Sequence, residues 1–310
     1  MSNEMWLIIA TVLGIALLLF LIMKVKLHAF VSLLIASLFI GLATGMSPMD
    51  IIDVIESGMG GTLGFIAVVV GLGAMFGEVL KVSGGAERLA LTLINKFGER
   101  RSQGALGFTG FLVSIPVFLD VALVILIPIV YSLAMKTKKS LLYYGIPLLA
   151  GLAVAHSFVP PTPGPMTVAA MLDVDLGWVI LFGIAAGIPA MILAGPVFGK
   201  FIGSKIHLDI PDYQKLDDEV SAMREERDMP SFKLVFSLIL IPLVLILANT
   251  VTGAIVGEDS TNLFAESIQF VGHPFVALII TVVLTFMLLG TRRGYSRDEV
   301  QDIATKALEP

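Results

Sequence analysis

Three runs of this chain, Leu7–Met23, Leu27–Thr44 and Trp178–Phe198, contain no Asp, Glu, Lys or Arg. A bilayer core of ~30 Å takes roughly 20 apolar residues per helix, so runs of this kind are built for lipid. The composition agrees: of 310 residues, 56% are hydrophobic and 15% charged, with a mean hydropathy of +0.94. Soluble domains carry about 25% charged residues. The expected fold class is an all-α polytopic membrane protein.

Other classes fall away on composition. With no cysteine there is no disulfide framework, thiolate metal site or cysteine nucleophile. A net charge of −5 with no basic domain argues against a nucleic-acid partner. Neither a metal nor a cofactor is expected. Met1-Ser-Asn-Glu4 lacks the basic n-region of a signal peptide, so the first span is read as retained.

Spans are expected at about 5–23, 27–45, 60–80, 141–159, 177–199, 232–252 and 274–290. Residues 104–135 make too long a stretch for one plain span and carry Pro116 and Asp120 in its middle. It reads either as a kinked single crossing or as a hairpin that returns to its own side. Charge decides, because Lys and Arg collect in short cytoplasmic loops. With the N-terminus outside and 104–135 as a re-entrant hairpin, all 20 Lys and Arg fall inside, from Lys24 and Lys26 to Lys306. The outside loops then hold only acids, among them Asp50, Asp53, Asp173, Asp175, Glu258 and Asp259. A single crossing would instead export Lys136, Lys138 and Lys139.

His28-Ala-Phe-Val-Ser-Leu-Leu-Ile35 returns as His273-Pro-Phe-Val-Ala-Leu-Ile-Ile280, and the likeness runs on to Gly45 and Gly290. In the charge-derived topology the copies cross in opposite directions, which is the inverted repeat of secondary transporters. The expected layout is a first membrane repeat over 1–200, a cytoplasmic linker over 201–231 and the start of a second repeat over 232–310. The second copy stops at Pro310, where its counterparts of the later elements should begin, so the pattern predicts a chain lacking part of that repeat.

Broken helices at membrane depth are tolerated only against protein or water. Two breaks are expected: the hairpin turn from Ser114 to Asp120, and the proline-rich end of the broken span 141–165, His156-Ser-Phe-Val-Pro-Pro-Thr-Pro-Gly-Pro165. Half-helix ends at such breaks present unpaired N–H groups that suit an anion. The candidate substrate-binding residues are Ser114, Phe118 and Asp120 from the hairpin, with His156, Ser157 and Thr162 from the broken span. Asp120 and His156 are the candidate proton carriers; the alternatives are a helix cap for Asp120 and a carbonyl-bonded imidazole for His156. No catalytic residue is expected. Glu78 beside Lys81 reads as structural. The glycines of Gly71-Leu-Gly-Ala-Met-Phe-Gly77 do not match the nucleotide pattern and read as a helix-packing face. Residues 83–97 have the pattern of an interfacial helix.

Several of these segments together resemble the gluconate permease family: Gly60-Gly-Thr-Leu-Gly64, Gly71–Gly77, Ser83-Gly-Gly-Ala-Glu-Arg-Leu-Ala90, Lys96-Phe-Gly98, Pro160-Pro-Thr-Pro-Gly-Pro165 and Ile192-Leu-Ala-Gly-Pro-Val197. The resemblance covers essentially the whole chain. It implies a multi-pass symporter of the bacterial inner membrane that takes up gluconate or a related hydroxy-carboxylate with protons. It also implies kinship with the wider ion-transporter superfamily, paired re-entrant hairpins and a second half beyond Pro310. Members of the family also carry other sugar acids and D-serine. Leu119-Asp120 stands where an aromatic-Glu pair is common in the family, and Thr162 where many members have histidine. The expected partners are a small anionic substrate, protons and membrane lipid, with a homo-oligomer left open. The alternative is a non-transporting remnant or assembly partner; an intramembrane enzyme has no support, since no H-E-x-x-H, thiol or G-x-S-x-G is present.

Overall fold

The computed structural model describes residues 3–98, 101–209, 229–257 and 262–308. Most of the linker, residues 210–228, and the acidic pair Glu258 and Asp259 lie outside the described residues. Every regular element among those described is helical. The helices are α1 (Asn3–Phe20), α2 (Ala29–Ala43), α3 (Pro48–Val82), α4 (Gly85–Phe97), α5 (Ser102–Val113), α6 (Leu119–Thr137) and α7 (Leu141–Phe158). They continue with α8 (Pro163–Met171), α9 (Leu176–Ile192), α10 (Phe198–Lys205), α11 (Phe232–Val256), α12 (Leu263–Gly272), α13 (Pro274–Thr285) and α14 (Arg297–Lys306). Seven helical stretches among the described residues are long and apolar enough to cross a membrane. Large apolar side chains such as Val12, Val124, Phe182 and Ile255 stand exposed along them, as a lipid-facing surface requires. This is an all-α polytopic membrane protein.

The chain forms two compact units, residues 1–65 and 66–310. In the first, α1 and α2 run antiparallel. Trp6 Nε1 donates to Ala43 O (2.8 Å) at one end, and Gly14 seats Ile40 further along. His28 caps α2, its Nδ1 accepting from Phe30 N at 3.3 Å.

The second unit contains its own copy of that cap. His273 Nδ1 accepts from Phe275 N at 3.3 Å before α13, with φ and ψ of −58° and 133° against −55° and 134° at His28. The repeated His-x-Phe sequence thus folds the same way twice. The π-helical turns at Leu193–Val197 and Phe286–Gly290 continue α9 and α13, and neither was legible in the sequence.

Three helices of the second unit establish how the chain runs through the region around Pro116. Gln103 Nε2, at the start of α5, donates to Tyr143 O at the start of α7 (2.9 Å). Further along, Gly151 of α7 lies against Gly107 O and Phe111 N of α5, so α5 and α7 run side by side in the same direction. A Cβ at Gly151 would come within 2.0 Å of that carbonyl oxygen, and only a glycine permits so close an approach. In α6 the order is reversed. Its last residue, Thr137, accepts a hydrogen bond from Tyr144 Oη (2.9 Å) at the start of α7. Phe118, just before its first residue, meets His156 near the end of α7. The chain therefore doubles back between residues 114 and 118. The 12 residues of α5 reach about 18 Å at 1.5 Å per residue, well short of a bilayer core.

The return of α9 and α10 along α7 follows a glycine stripe, with Gly183 against Phe158, Gly187 against Val154, Gly199 against Pro147 and Gly203 against Tyr143. Ser140 closes this end: its Oγ accepts from Leu142 N and Leu208 N. Arg101, Lys136, Lys138, Lys139 and Lys205 gather there. At the far end, Asp175 caps α9 through Gly177 N (2.8 Å) and accepts from the Thr250 hydroxyl of α11.

Two expectations change in detail. The third span is a helix of 35 residues, Pro48–Val82, rather than 60–80. Most of residues 83–97 is packed against other helices, although Phe97 at the C-terminal end stays exposed. Ala86, Leu89, Ala90 and Leu93 are buried, Arg88 Nε donates to Pro230 O (2.9 Å), and α5, α6 and α11 cover the apolar face that the pattern assigns to lipid.

Candidate functional site

The two breaks meet. Helix α5 ends at Val113, and Ser114-Ile-Pro-Val-Phe118 turns the chain into α6. Helix α7 ends at Phe158; Val159 and Thr162 have extended backbone angles on either side of a turn at Pro160-Pro161, whose peptide bond is cis, and α8 starts at Pro163. The run of prolines interrupts the helix as expected. However, Pro163 and Pro165 fall in the first turn of α8, where a missing N–H costs nothing. The rings of Phe118 and His156 join the breaks edge to face, with centroids 6.0 Å apart.

Helix α3 holds both. Gly77 lies against the carbonyl of Pro116 in the hairpin tip, and Gly73, one turn earlier, against the ring of Pro161. Four helical residues rise about 6 Å, so one glycine-lined face brings the two irregular segments to nearly the same level.

The sequence-derived residues divide by environment. Ser114 is fully buried at the C-terminal end of α5 and its Oγ has no hydrogen-bond partner among the described residues. His156 is half-buried, and its Nδ1 is likewise buried and unpartnered. Buried polar atoms are almost always paired, and leaving one unpaired costs about 1–3 kcal/mol. Both of these lie at the breaks. Thr162 is buried, with its Oγ1 donating to Val159 O (2.8 Å) across the Pro160-Pro161 turn. Ser157 is exposed and, with His156, lines a groove of about 920 Å³ whose other walls are apolar residues of α8 and α9, including Trp178 and Phe182. Asp120 stands in the first turn of α6, exposed, where a carboxylate complements the helix dipole. It lines neither that groove nor the smaller cavity at the hairpin tip.

That smaller cavity, about 300 Å³, brings in residues the sequence reading left out. Phe118 and Pro116 line it together with Glu78 and Lys81 of α3 and Lys306 of α14. Glu78 and Lys81 are visibly paired in sequence at three-residue spacing, but nothing in the sequence signals that Lys306 joins them. No group of three or more potential metal ligands occurs among the described residues.

The sequence profile of the GntP family permeases matches residues 6–310. The chain belongs to this family. Its relatives include a low-affinity gluconate transporter of Escherichia coli (strain K12), 42% identical over 304 residues covering 98% of this chain and 67% of the relative. A gluconate permease of Bacillus licheniformis is 37% identical over 303 residues, 95% of this chain and 66% of the relative. The D-serine transporter DsdX of Escherichia coli (strain K12) is 36% identical over 296 residues, 96% of this chain and 65% of the relative. The chain thus spans about two thirds of the length of these relatives. No solved structure matches it. GntP family members are permeases rather than enzymes, and the meeting of two broken helices described above is where a permease of this chain's composition departs from a plain helical bundle.

Proposed function

We propose that the protein takes up gluconate or a related small sugar acid across the bacterial inner membrane together with protons, and that the hairpin tip and the α7–α8 break hold the substrate. The observation that carries this reading is the contact of Phe118 with His156, which brings together two breaks that each contain an unpartnered buried polar atom, Ser114 Oγ and His156 Nδ1. A bound hydroxy-carboxylate offers these atoms the hydrogen bonds that the protein withholds. Relatives named for gluconate and for D-serine share that chemistry: a carboxylate with a nearby hydroxyl or amine on a short carbon chain.

The reading extends to topology. The N-terminus lies outside, the α5–α6 hairpin is re-entrant, and residues 1–200 and 232–310 belong to two inverted repeats joined by a cytoplasmic linker. The basic cluster at the base of the hairpin and the identically capped His28 and His273 helices support it. In this frame Asp120 takes up the proton beside the hairpin tip, and His156 relays charge next to the substrate.

The test is uptake of labelled gluconate by the protein in sealed vesicles, with and without an imposed pH gradient. Uptake should accelerate when the outside is acidic, and Asp120→Asn should abolish that acceleration. Gradient-independent uptake, or a fully coupled Asp120→Asn variant, would remove the proton assignment. A wild-type protein that moves no sugar acid would remove the transport reading itself.

A further inference from the structure

The cavity at the hairpin tip has a charge pattern that the reading above does not use. Lys81 Nζ is held by Glu78, at 2.7 Å from Oε1 and 3.0 Å from Oε2. Lys306 lines the same cavity and forms no ion pair among the described residues. The lining therefore carries two ammonium groups against one carboxylate. Asp120, the remaining acid of the α6 first turn, is exposed and does not line the cavity. Helix α6 begins at this tip with no side-chain cap on Phe118, so its first N–H groups add to the positive potential. At about 300 Å³ the space lies at the small end of ligand pockets, about 300–1,000 Å³, which suits a short-chain metabolite and not a lipid.

We propose that this cavity is a carboxylate subsite in which Lys81 and Lys306 bind the acid group of the substrate, and Glu78 is the internal counter-ion that Lys81 gives up when the substrate arrives. The proposal rests on the reading of the protein as a sugar-acid transporter and deepens it. Its logic is exchange. An ammonium lining a cavity pairs with whatever carboxylate is near, and Lys306, exposed on α14, is open to such a partner. Glu78 satisfies Lys81, and an incoming carboxylate brings the lining to two acids against two ammonium groups, with the released Glu78 still beside them in the same cavity. The substrate carboxylate also gains Lys306 as a second partner, which the Glu78–Lys81 pair does not use. Phe118, which lines this subsite, also meets the His156 ring, so the subsite lies next to the meeting point of the two breaks.

The experiment is the concentration dependence of labelled gluconate uptake in proteoliposomes, read as KM and Vmax. The variants are Lys81→Met, Lys81→Arg, Lys306→Met and Glu78→Gln, with Lys139→Met as a control remote from the site. Charge-assisted pairs are the strong hydrogen bonds, so Lys81→Met should raise KM by about tenfold or more. Lys81→Arg should restore most of the affinity, and Lys306→Met should raise KM by a smaller factor. Glu78→Gln should lower KM, because the substrate no longer competes with a resident carboxylate; a purely structural Glu78–Lys81 bridge predicts lost protein and lower Vmax instead. If Lys81→Met does not fold, Lys306→Met and Glu78→Gln decide the question by the same signs. Unchanged KM in Lys81→Met and Lys306→Met alongside active wild-type transport overturns the subsite and leaves the transport reading intact. Wild-type protein that carries no sugar acid overturns both.

Discussion

A single methyl group added at Gly77 tests whether α3 organises the site. A Cβ built there lies 2.1 Å from Pro116 O, 3.0 Å from Pro116 C and 3.3 Å from Val117 Cα. All three are backbone atoms, so no side chain can rotate out of the way. Ordinary contact begins at 3.4 Å, so the hairpin tip and α3 must separate by at least about 1.3 Å. Overpacking of this kind typically costs about 1–3 kcal/mol, which leaves an assembled protein in many cases. Misplacing a binding element by about 1 Å, however, can cost on the order of a hundredfold in rate. Gly77→Ala should therefore insert into the membrane and be purified at a modestly lowered melting temperature, with initial uptake of labelled gluconate down by about one to two orders of magnitude. The matched control is Gly145→Ala in α7, where a Cβ meets nothing within 4 Å. Replacing a helical glycine with alanine should there gain up to about 1 kcal/mol and leave uptake intact. If Gly77→Ala transports within twofold of wild type, α3 does not position the hairpin tip and the account of the site fails.

Because the protein contains no cysteine, single replacements Arg101→Cys, Lys138→Cys and Asp173→Cys can be labelled in whole cells without further engineering. The first two should react from one face of the membrane and the third from the other; labelling of the first two from opposite faces would end the hairpin assignment. At α14 the Glu299 carboxylate accepts from Ser296 N (2.7 Å), and Glu299 N donates to Ser296 Oγ (3.1 Å). The bond from the Ser296 backbone, with a smaller contribution from its side chain, holds the Glu299 pKa below the usual carboxylate value. The first turn of α14 is therefore supported at neutral pH and loses that support as pH falls through the lowered pKa. Limited proteolysis near residue 296 should accelerate on acidification in wild type, whereas Glu299→Gln should cleave at the faster rate already at neutral pH.

How much of this was legible in the sequence depends on the range of the signal. Spans are local, so charge-free runs located most of them. The stretch expected at 27–45, however, forms a helix of only 15 residues, Ala29–Ala43, and Leu119–Thr137 of the hairpin is itself long enough to cross. The excess of basic residues around Lys136–Lys139 implied the reversal near Pro116. The two histidine caps were visible as a repeated His-x-Phe. Residues 83–97 misled because an amphipathic pattern states that one face is apolar without saying what covers it: packing by α5, α6 and α11 replaced the lipid. The extent of α3 was underestimated, since Ser57 to Gly64 holds small residues that weaken a helical pattern without breaking the helix. Lys306 escaped because its relation to Lys81 exists only in three dimensions.

The glycines of α3 explain why these distant signals converge. The hairpin tip presents the Pro116 carbonyl and the proline segment presents the Pro161 ring, and neither accepts a neighbour closer than van der Waals contact. To bring both against one helix, that helix must present backbone rather than side chains, and must do so twice on one face. Gly73 and Gly77, four residues apart, meet that requirement. A spacing of two would turn one of them away by about 200°, and only one break would dock. The Gly-x-x-x-Gly spacing therefore does more than allow helices to approach: it fixes the level at which two half-helices end facing one another. A swap that keeps two glycines but shifts the register, Gly77→Ala combined with Ala74→Gly, should not restore transport, because the second gap no longer faces Pro116.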